Sequence, residues 1–420
     1  MFEKEKGEIM TESQSLSEED VRSLVQGRPP KSTDVLRRLT VGMDTQTDFL
    51  RDKYLKDYIP KGGSKIKFVT GRSGSGKTHF SAVMRQEAEE LGYLTVSFSA
   101  KDVWLHDFRE IYLEVLRQCD PERVLRRCAN RIISEMGYQP DQIPEGGNLI
   151  DHLSEKGESD ALSKGEIRSY LREFFTRNPR LDNNFAGACS LLTGGILGHP
   201  LLEESNYELL MAYLLGDKTV KLSQIRALGL SPLRITRYNA RNLLRSLSEV
   251  VRIAGYQGLF IVIDDLEKLL DRSTDAAIRY TKLRRDDAYE SIRALIDDID
   301  SMRHVIFFLC FDRELTDDEN YGVKSYQALW LRIQNEVVST RLNRFADIID
   351  MDRLADEVYD AGVQKEMAER LATVLEAAGV ETHPLDADFQ RDLMERAKYG
   401  GLGIPYMLNR LVVEGGRRDV

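Results

Sequence analysis

An α/β fold on a parallel sheet, carrying a large helical insertion and a C-terminal helical domain, is the class this sequence predicts. Three observations lead there. A hydrophobic run at 66–70 enters a glycine-rich loop, Gly71-Arg72-Ser73-Gly74-Ser75-Gly76-Lys77-Thr78, and helix-compatible residues follow at 77–91. A second apolar run, Leu259-Phe260-Ile261-Val262-Ile263, ends in Asp264-Asp265 and reads as a central strand buried on both faces. Strand-like runs alternate with helical ones, the pattern of parallel strands joined by right-handed crossovers.

Taken in order, residues 1–34 are rich in Glu, Ser, Gln and Lys, with Pro29-Pro30 near their end. They read as a polar, disordered segment, apart from a short helix that Ser17 would cap. The core spans 35–350. It opens with a helix from Thr33 to Leu39-Thr40-Val41-Gly42, then the first strand and its loop, then a second strand at 94–98. From about 105 to 254 the apolar residues recur at helical spacing, at 111–117, 124–136, 164–175 and 207–215, with Gly146-Gly147 and Gly194-Gly195 as punctuation. This is the insertion. A helix at 239–253 returns the chain to the acidic strand, an amphipathic helix follows at 288–299, and further strands are expected at 304–310 and 346–350. Residues 351–420 read as a helical domain, with apolar periodicity at 363–375 and 389–411.

The glycine-rich loop has the composition of a phosphate cradle. Its glycines permit positive φ and close backbone approach, so successive N–H groups can gather around phosphate oxygens at a helix N-terminus. Gly71, Ser73, Gly74, Ser75, Gly76, Lys77 and Thr78, with the adjoining His79, are the nucleotide-binding candidates; Lys77 would reach the β/γ oxygens and Thr78 would help hold Mg²⁺. Such a site needs an acidic metal partner on a second buried strand. Asp264 fills that role, and Asp265 stands where a residue would polarise the attacking water, with Glu267 as the alternative. A ligand then belongs at the carboxyl ends of the strands. A core of this kind followed by a small helical domain is the AAA+ pattern. Its remaining parts would be Asp312 as a polar sensor at the end of the 304–310 strand, Arg344 as a finger reaching a neighbouring subunit's nucleotide, with Arg341 and Arg332 as rivals, and a lid arginine. Near the Pro405 helix start, Tyr406 occupies the first place for that arginine, and Arg410 lies one turn on.

Composition narrows the classes. The 420 residues are 42% hydrophobic and 30% charged, ordinary for a globular chain of two to three domains. A net charge of −10 argues against a non-specific nucleic-acid coat. The cysteines, Cys119, Cys128, Cys189 and Cys310, have no metal-ligand spacing and read as reduced cytoplasmic thiols. No apolar run is long enough to span a bilayer. Two basic stretches could still face DNA: Arg279-Tyr280-Thr281-Lys282-Leu283-Arg284-Arg285, and Arg237, Arg241 and Arg245 at helical spacing. Each also reads as a solvated or acid-paired face. Residues 222–232 read either as a helix-turn-helix or as a packed helical hairpin.

The chain resembles the ATP-binding proteins of BREX phage-exclusion systems, of the BrxD/BrxC type, over residues 35–350. The resemblance rests on residues 69–80, on Gly255-Tyr256-Gln257-Gly258 before the acidic strand, on Asp264-Asp265-Leu266-Glu267, on 291–297 and on Gly322 to Leu329. The chain departs from that family at Asp265, where Glu is common, at Phe311-Asp312 and at Tyr406. The resemblance implies ATP as cofactor with Mg²⁺, and a homo-oligomer or a hetero-complex with a helicase or DNA-modifying partner. Three functions are then expected to compete: an ATPase that remodels a DNA-acting complex, a slow ATP-dependent assembly switch, and a signalling NTPase of the STAND type.

Overall fold

The computed structural model describes residues 16–144, 146–157, 161–271, 277–337, 344–385 and 401–415. Its centre is a five-stranded parallel sheet of β1 (Ser64–Gly71), β2 (Leu94–Ser99), β3 (Leu259–Asp264), β4 (Val305–Asp312) and β5 (Ile348–Asp350), in the order β2-β3-β4-β1-β5. All five expected strands form. β2 and β3 run in parallel register from Leu94 opposite Leu259 to Ser99 opposite Asp264, and β3 and β4 from Leu259 opposite Val305. The order places β4, with Asp312 at its end, between the loop strand β1 and the acidic strand β3.

The central strands β3 and β4 are continuous apolar runs because both faces are covered. Phe260, Phe307, Phe308 and Phe311 are all fully buried, and the Phe260 and Phe308 rings lie 4.9 Å apart. Among the described residues, 105–254 is helix and connecting loop without a strand, as its periodicity predicts. The helices Phe108–Cys119, Pro121–Glu135, Asn183–Leu197 and Ala240–Ile253 supply much of one continuous core. Leu222–Ala227 is a six-residue helix followed by an irregular run to 239, so neither the helix-turn-helix nor the helical hairpin forms there.

Two compact units divide the chain: Met1–Thr47 with Thr70–Val83 and Asp350–Val420, and Asp48–Val69 with Met84–Ile349. In the first, Leu24, Val35, Leu371, Val374, Leu375 and Val412 share a core. The expected short helix forms as Glu18–Val25, with the Ser17 hydroxyl accepting from the Asp20 N–H at 3.1 Å. Asp20 is itself buried, and its carboxylate accepts from the N–H groups of Lys31 at 2.6 Å and Ser32 at 3.3 Å. These bonds tie the polar helix to the chain beyond Pro30. Residues 26–34, expected to be disordered, are held by these bonds, and residues 1–15 lie outside the described residues. The second part of the predicted 389–411 helix is found as Ile404–Glu414, with Gly403 as N-cap and Pro405 in its first turn. Residues 386–400 are not among those described.

One buried charge fixes an edge of the sheet in the second unit. Lys67, in mid-β1, has no exposed surface. Its ammonium donates to the carbonyls of Ala346 at 2.7 Å and Phe345 at 3.3 Å, and to Asp347 at 3.3 Å and the Tyr54 hydroxyl at 3.2 Å. It also lies 4.6 Å from the centre of the Tyr54 ring. Lys65 meets the same Asp347 carboxylate at 2.7 Å, and the Phe68 N–H bonds the Asp347 carbonyl at 2.7 Å. A buried charge of this kind is tolerated only because each donor has a partner. Replacing it strands those acceptors. Lys67→Ala is expected to lower stability by about 3–5 kcal/mol, read as a shift of the denaturation midpoint with an unchanged slope.

Candidate functional site

The loop after β1 makes the turn its glycines predict. Gly74 and Gly76 have φ of +74° and +93°. The Ser75 N–H closes back on the Arg72 carbonyl at 3.1 Å, and the Phe80 N–H bonds the Gly76 carbonyl at 2.8 Å as the helix Lys77–Glu90 begins. A side chain at Gly74 would fail twice, since φ is left-handed and a Cβ would stand 2.3 Å from the Tyr406 Cβ. Ser73 and Thr78 are exposed, whereas Ser75 and Lys77 are buried. The Lys77 ammonium lies over the loop itself, 3.0 Å from the Arg72 carbonyl and 3.4 Å from that of Gly71. Asp352 anchors the loop's entry, accepting from the Arg72 N–H at 2.9 Å and its Nε at 3.2 Å. This is a cradle with no room for side chains and with its lysine already turned inward, which fits an anionic triphosphate.

His79 is a strut rather than a charge. The Thr40 hydroxyl donates to the Leu36 carbonyl at 2.8 Å, so the bond of 3.0 Å between Thr40 Oγ1 and His79 Nε2 must be donated by the imidazole. Burial pushes the His79 pKa down to about 4, which keeps the ring neutral. The same Thr40 belongs to the Thr40-Val41-Gly42 segment. Arg370 caps the preceding helix by donating to the carbonyls of Arg38 at 3.1 Å and Thr40 at 3.2 Å.

In the other unit, four carboxylates collect at the ends of β3 and β4. Asp264 closes β3 and accepts from the Asp265 N–H at 2.8 Å. Asp265 takes a left-handed φ of +60° and turns its carboxylate to β2 and the loop after it: Ser99 donates at 2.6 Å and Lys101 at 2.6 Å. Burial resists its ionisation, but the bonds from Lys101 and Ser99 outweigh it and the pKa lies below the usual value. Glu267 behaves oppositely. Burial, then the nearby Asp312 and Asp265, push its pKa up to about 7, while the Asp312 N–H donates to it at 3.2 Å. Two neighbouring acids whose pKa values are driven apart are the arrangement that divides roles between an ionised group and a proton carrier. Lys101 and Ser99 were not among the sequence candidates; their signal is positional, since Ser99 sits opposite Asp264 in the β2–β3 register.

The remaining candidates scatter. Arg344 is exposed, beside Phe345, whose ring meets Phe49 edge-on at 4.8 Å. Arg341 lies outside the described residues, and Arg332 is held by both oxygens of Asp297 at 2.8 and 2.9 Å. Arg410 pairs with Glu414 one turn along its own helix. Of the basic stretches, Tyr280 and Arg285 turn inward, Tyr280 accepting from the Leu105 N–H at 2.8 Å and Arg285 donating to the Leu269 carbonyl at 3.2 Å. Arg241 pairs with Asp298 at 2.7 Å and Arg245 donates to Asn242 at 2.6 Å. Arg285, Arg241 and Arg245 are thus packed or paired within the chain, while Arg279, Lys282 and Arg284 are exposed.

An α/β sheet with a glycine-rich loop after β1 and an acidic pair closing β3 places the protein in the P-loop NTPase-like class of nucleotide-binding folds. Residues 13–403 match the family model for BREX system ATP-binding protein BrxC/D, and the chain belongs to that family. The family gives it a nucleotide, ATP, and a setting, a phage-defence system. None of the curated proteins compared with it matches. Among the described residues, no helix is long and apolar enough to cross a membrane.

The raised Glu267 pKa is a statement about stability. A carboxyl whose folded pKa lies above its unfolded value stabilises the fold fully below the unfolded value, and that contribution is lost as pH rises towards about 7. Glu267→Gln, neutral throughout, is therefore expected to be more stable than the parent at about pH 8, on the order of 2 kcal/mol, with the gap closing by about pH 5. Thermal melts across that range check it.

Proposed function

We propose that the chain hydrolyses ATP and uses the cycle, in an AAA+-like manner, to assemble or remodel a DNA-acting complex of the defence system. The observation that carries this reading is the cluster of carboxylates at the ends of β3 and β4, where Glu267 accepts from the Asp312 N–H at 3.2 Å beside Asp265, itself held by Lys101 and Ser99. Burial and the neighbouring acids hold the Glu267 pKa up near 7, and a general base works best with a pKa near the working pH. With Mg²⁺, bound ATP supplies an electrophilic γ-phosphoryl group and a stable leaving group.

The chain's own residues would divide the rest. Loop N–H groups and Lys77 hold the triphosphate and offset its charge. Thr78 and Asp264 hold Mg²⁺. Glu267 accepts the proton of the attacking water, while Asp265, kept ionised by Lys101 and Ser99, orients that water. Asp312 fixes Glu267 through its backbone N–H. Arg344 acts in a neighbouring copy, and the helices after Met351 serve as the lid, with Arg410 on its last helix. This moves the base from Asp265, first in line by sequence position, to Glu267. A second reading, a slow assembly switch, is favoured by one contact. The Lys101–Asp265 pair occupies the carboxylate that would otherwise be available to water.

Turnover separates the readings. Lys77→Ala should weaken ATP binding roughly 10–100-fold, measured by calorimetry. Glu267→Gln should leave binding intact and lower kcat roughly 100-fold or more. Parent kcat should rise with pH through about 7, because only the carboxylate form of Glu267 is a base. Equal activity of Glu267→Gln and parent would remove Glu267 from the mechanism. Negligible parent turnover with ATP-dependent growth in solution mass would establish the switch.

A further inference from the structure

The C-terminal chain lies directly on the phosphate loop. The Gly403 N–H donates to the Ser73 carbonyl at 2.8 Å and the Tyr406 N–H to the Gly74 carbonyl at 3.1 Å. Ser73 and Leu402 pair as an isolated parallel bridge. Two successive peptide groups of the loop are therefore gripped by backbone donors from the start of the Ile404–Glu414 helix. Peptide units are planar and trans, so a carbonyl held on one side turns its partner N–H to the other. Fixing the Ser73 carbonyl aims the Gly74 N–H away from Gly403. Fixing the Gly74 carbonyl aims the Ser75 N–H away from Tyr406, towards the Arg72 carbonyl that it bonds.

The contact admits no substitution at its centre. A Cβ on Gly403 would stand 2.3 Å from both the Cα and the N of Ser75, and backbone atoms cannot swing aside as a side-chain tip can. The helix is held from behind as well: the Asn409 amide donates to the Leu24 carbonyl at 2.8 Å, and Gly27 packs under the Tyr406 ring, where a Cβ would come within 2.8 Å.

The geometry points to Gly403 and Tyr406 as positioning residues, a backbone brace that presets the peptide planes of the phosphate loop, so that nucleotide affinity depends on the docking of residues 402–406. The inference rests on ATP binding at that loop. It differs from a lid arginine that touches phosphate, because here main-chain donors act on the loop and the charged side chain of Arg410 faces Glu414 instead. Linkage makes the effect reciprocal: if docking tightens nucleotide binding, nucleotide must tighten docking by the same factor.

The test uses the full chain and a non-hydrolysable ATP analogue. Gly403→Ala should weaken analogue binding roughly tenfold or more; because the clash also lowers its melting temperature without nucleotide, binding is compared at a temperature where both chains are folded. In the parent, the analogue should slow amide hydrogen exchange in the 402–406 segment, and Lys77→Ala should shift that slowing to roughly 10–100-fold higher analogue concentration. Parent-like affinity of a folded Gly403→Ala overturns the inference, as does exchange at 402–406 that ignores the analogue. If Gly403→Ala does not fold, the exchange measurement on the parent decides alone. Loss of binding in Lys77→Ala beside normal binding in Gly403→Ala leaves the nucleotide site intact and removes only the brace. A parent chain that binds no analogue overturns both.

Discussion

The loop at 71–78 can take its shape only because certain positions in and against it lack a Cβ. At Gly74 the backbone is left-handed and another chain segment approaches to van der Waals contact; at Gly403 that segment presses on the loop's own backbone. Much of the first unit is arranged around this contact. Asp352 holds the loop's entry, His79 and Thr40 brace the helix that leaves it, and Asn409 and Gly27 back the Ile404–Glu414 helix. Conformational freedom lost in such a loop has to be offset by neighbours, and here they are main-chain donors and buried acids rather than a hydrophobic plug.

The acidic end of the sheet obeys a different constraint, the cost of crowding carboxylates in partly buried ground. Lys101 and Ser99 stabilise one of them as an anion; Glu267, which accepts the backbone N–H of Asp312, meets the crowding by holding its proton up to about pH 7. The positions come from strand register, since Ser99, Asp264 and Asp312 all close strands that lie side by side. Chemistry at this end is thus set by where a strand end brings a cation to the carboxylates, as the loop after β2 brings Lys101 to Asp265.

How much of this was legible in the sequence depends on the range of the forces involved. The strands, the loop and the helical insertion are local in periodicity and glycine placement, and they appear where the pattern sets them. The Ser17 cap and the Pro405 helix start are local too. Long-range pairings were not legible. Nothing in the spacing of Ser99 and Lys101 announces a partner at Asp265, and nothing near Tyr406 says that its N–H would find Gly74. The basic residues at 279–285 and 237–245 show the same limit. Charge in a sequence is visible, but the Asp298 carboxylate that neutralises Arg241 and the Leu269 carbonyl that receives Arg285 belong to other stretches of chain.

Lys67 grips the 345–347 segment mainly by its carbonyls, and every residue type supplies a carbonyl. The grip on residues 345 and 346 therefore follows the course of their backbone, and a substitution there that keeps the backbone keeps the grip. The Phe345 side chain answers to a separate demand, its edge-on contact with Phe49.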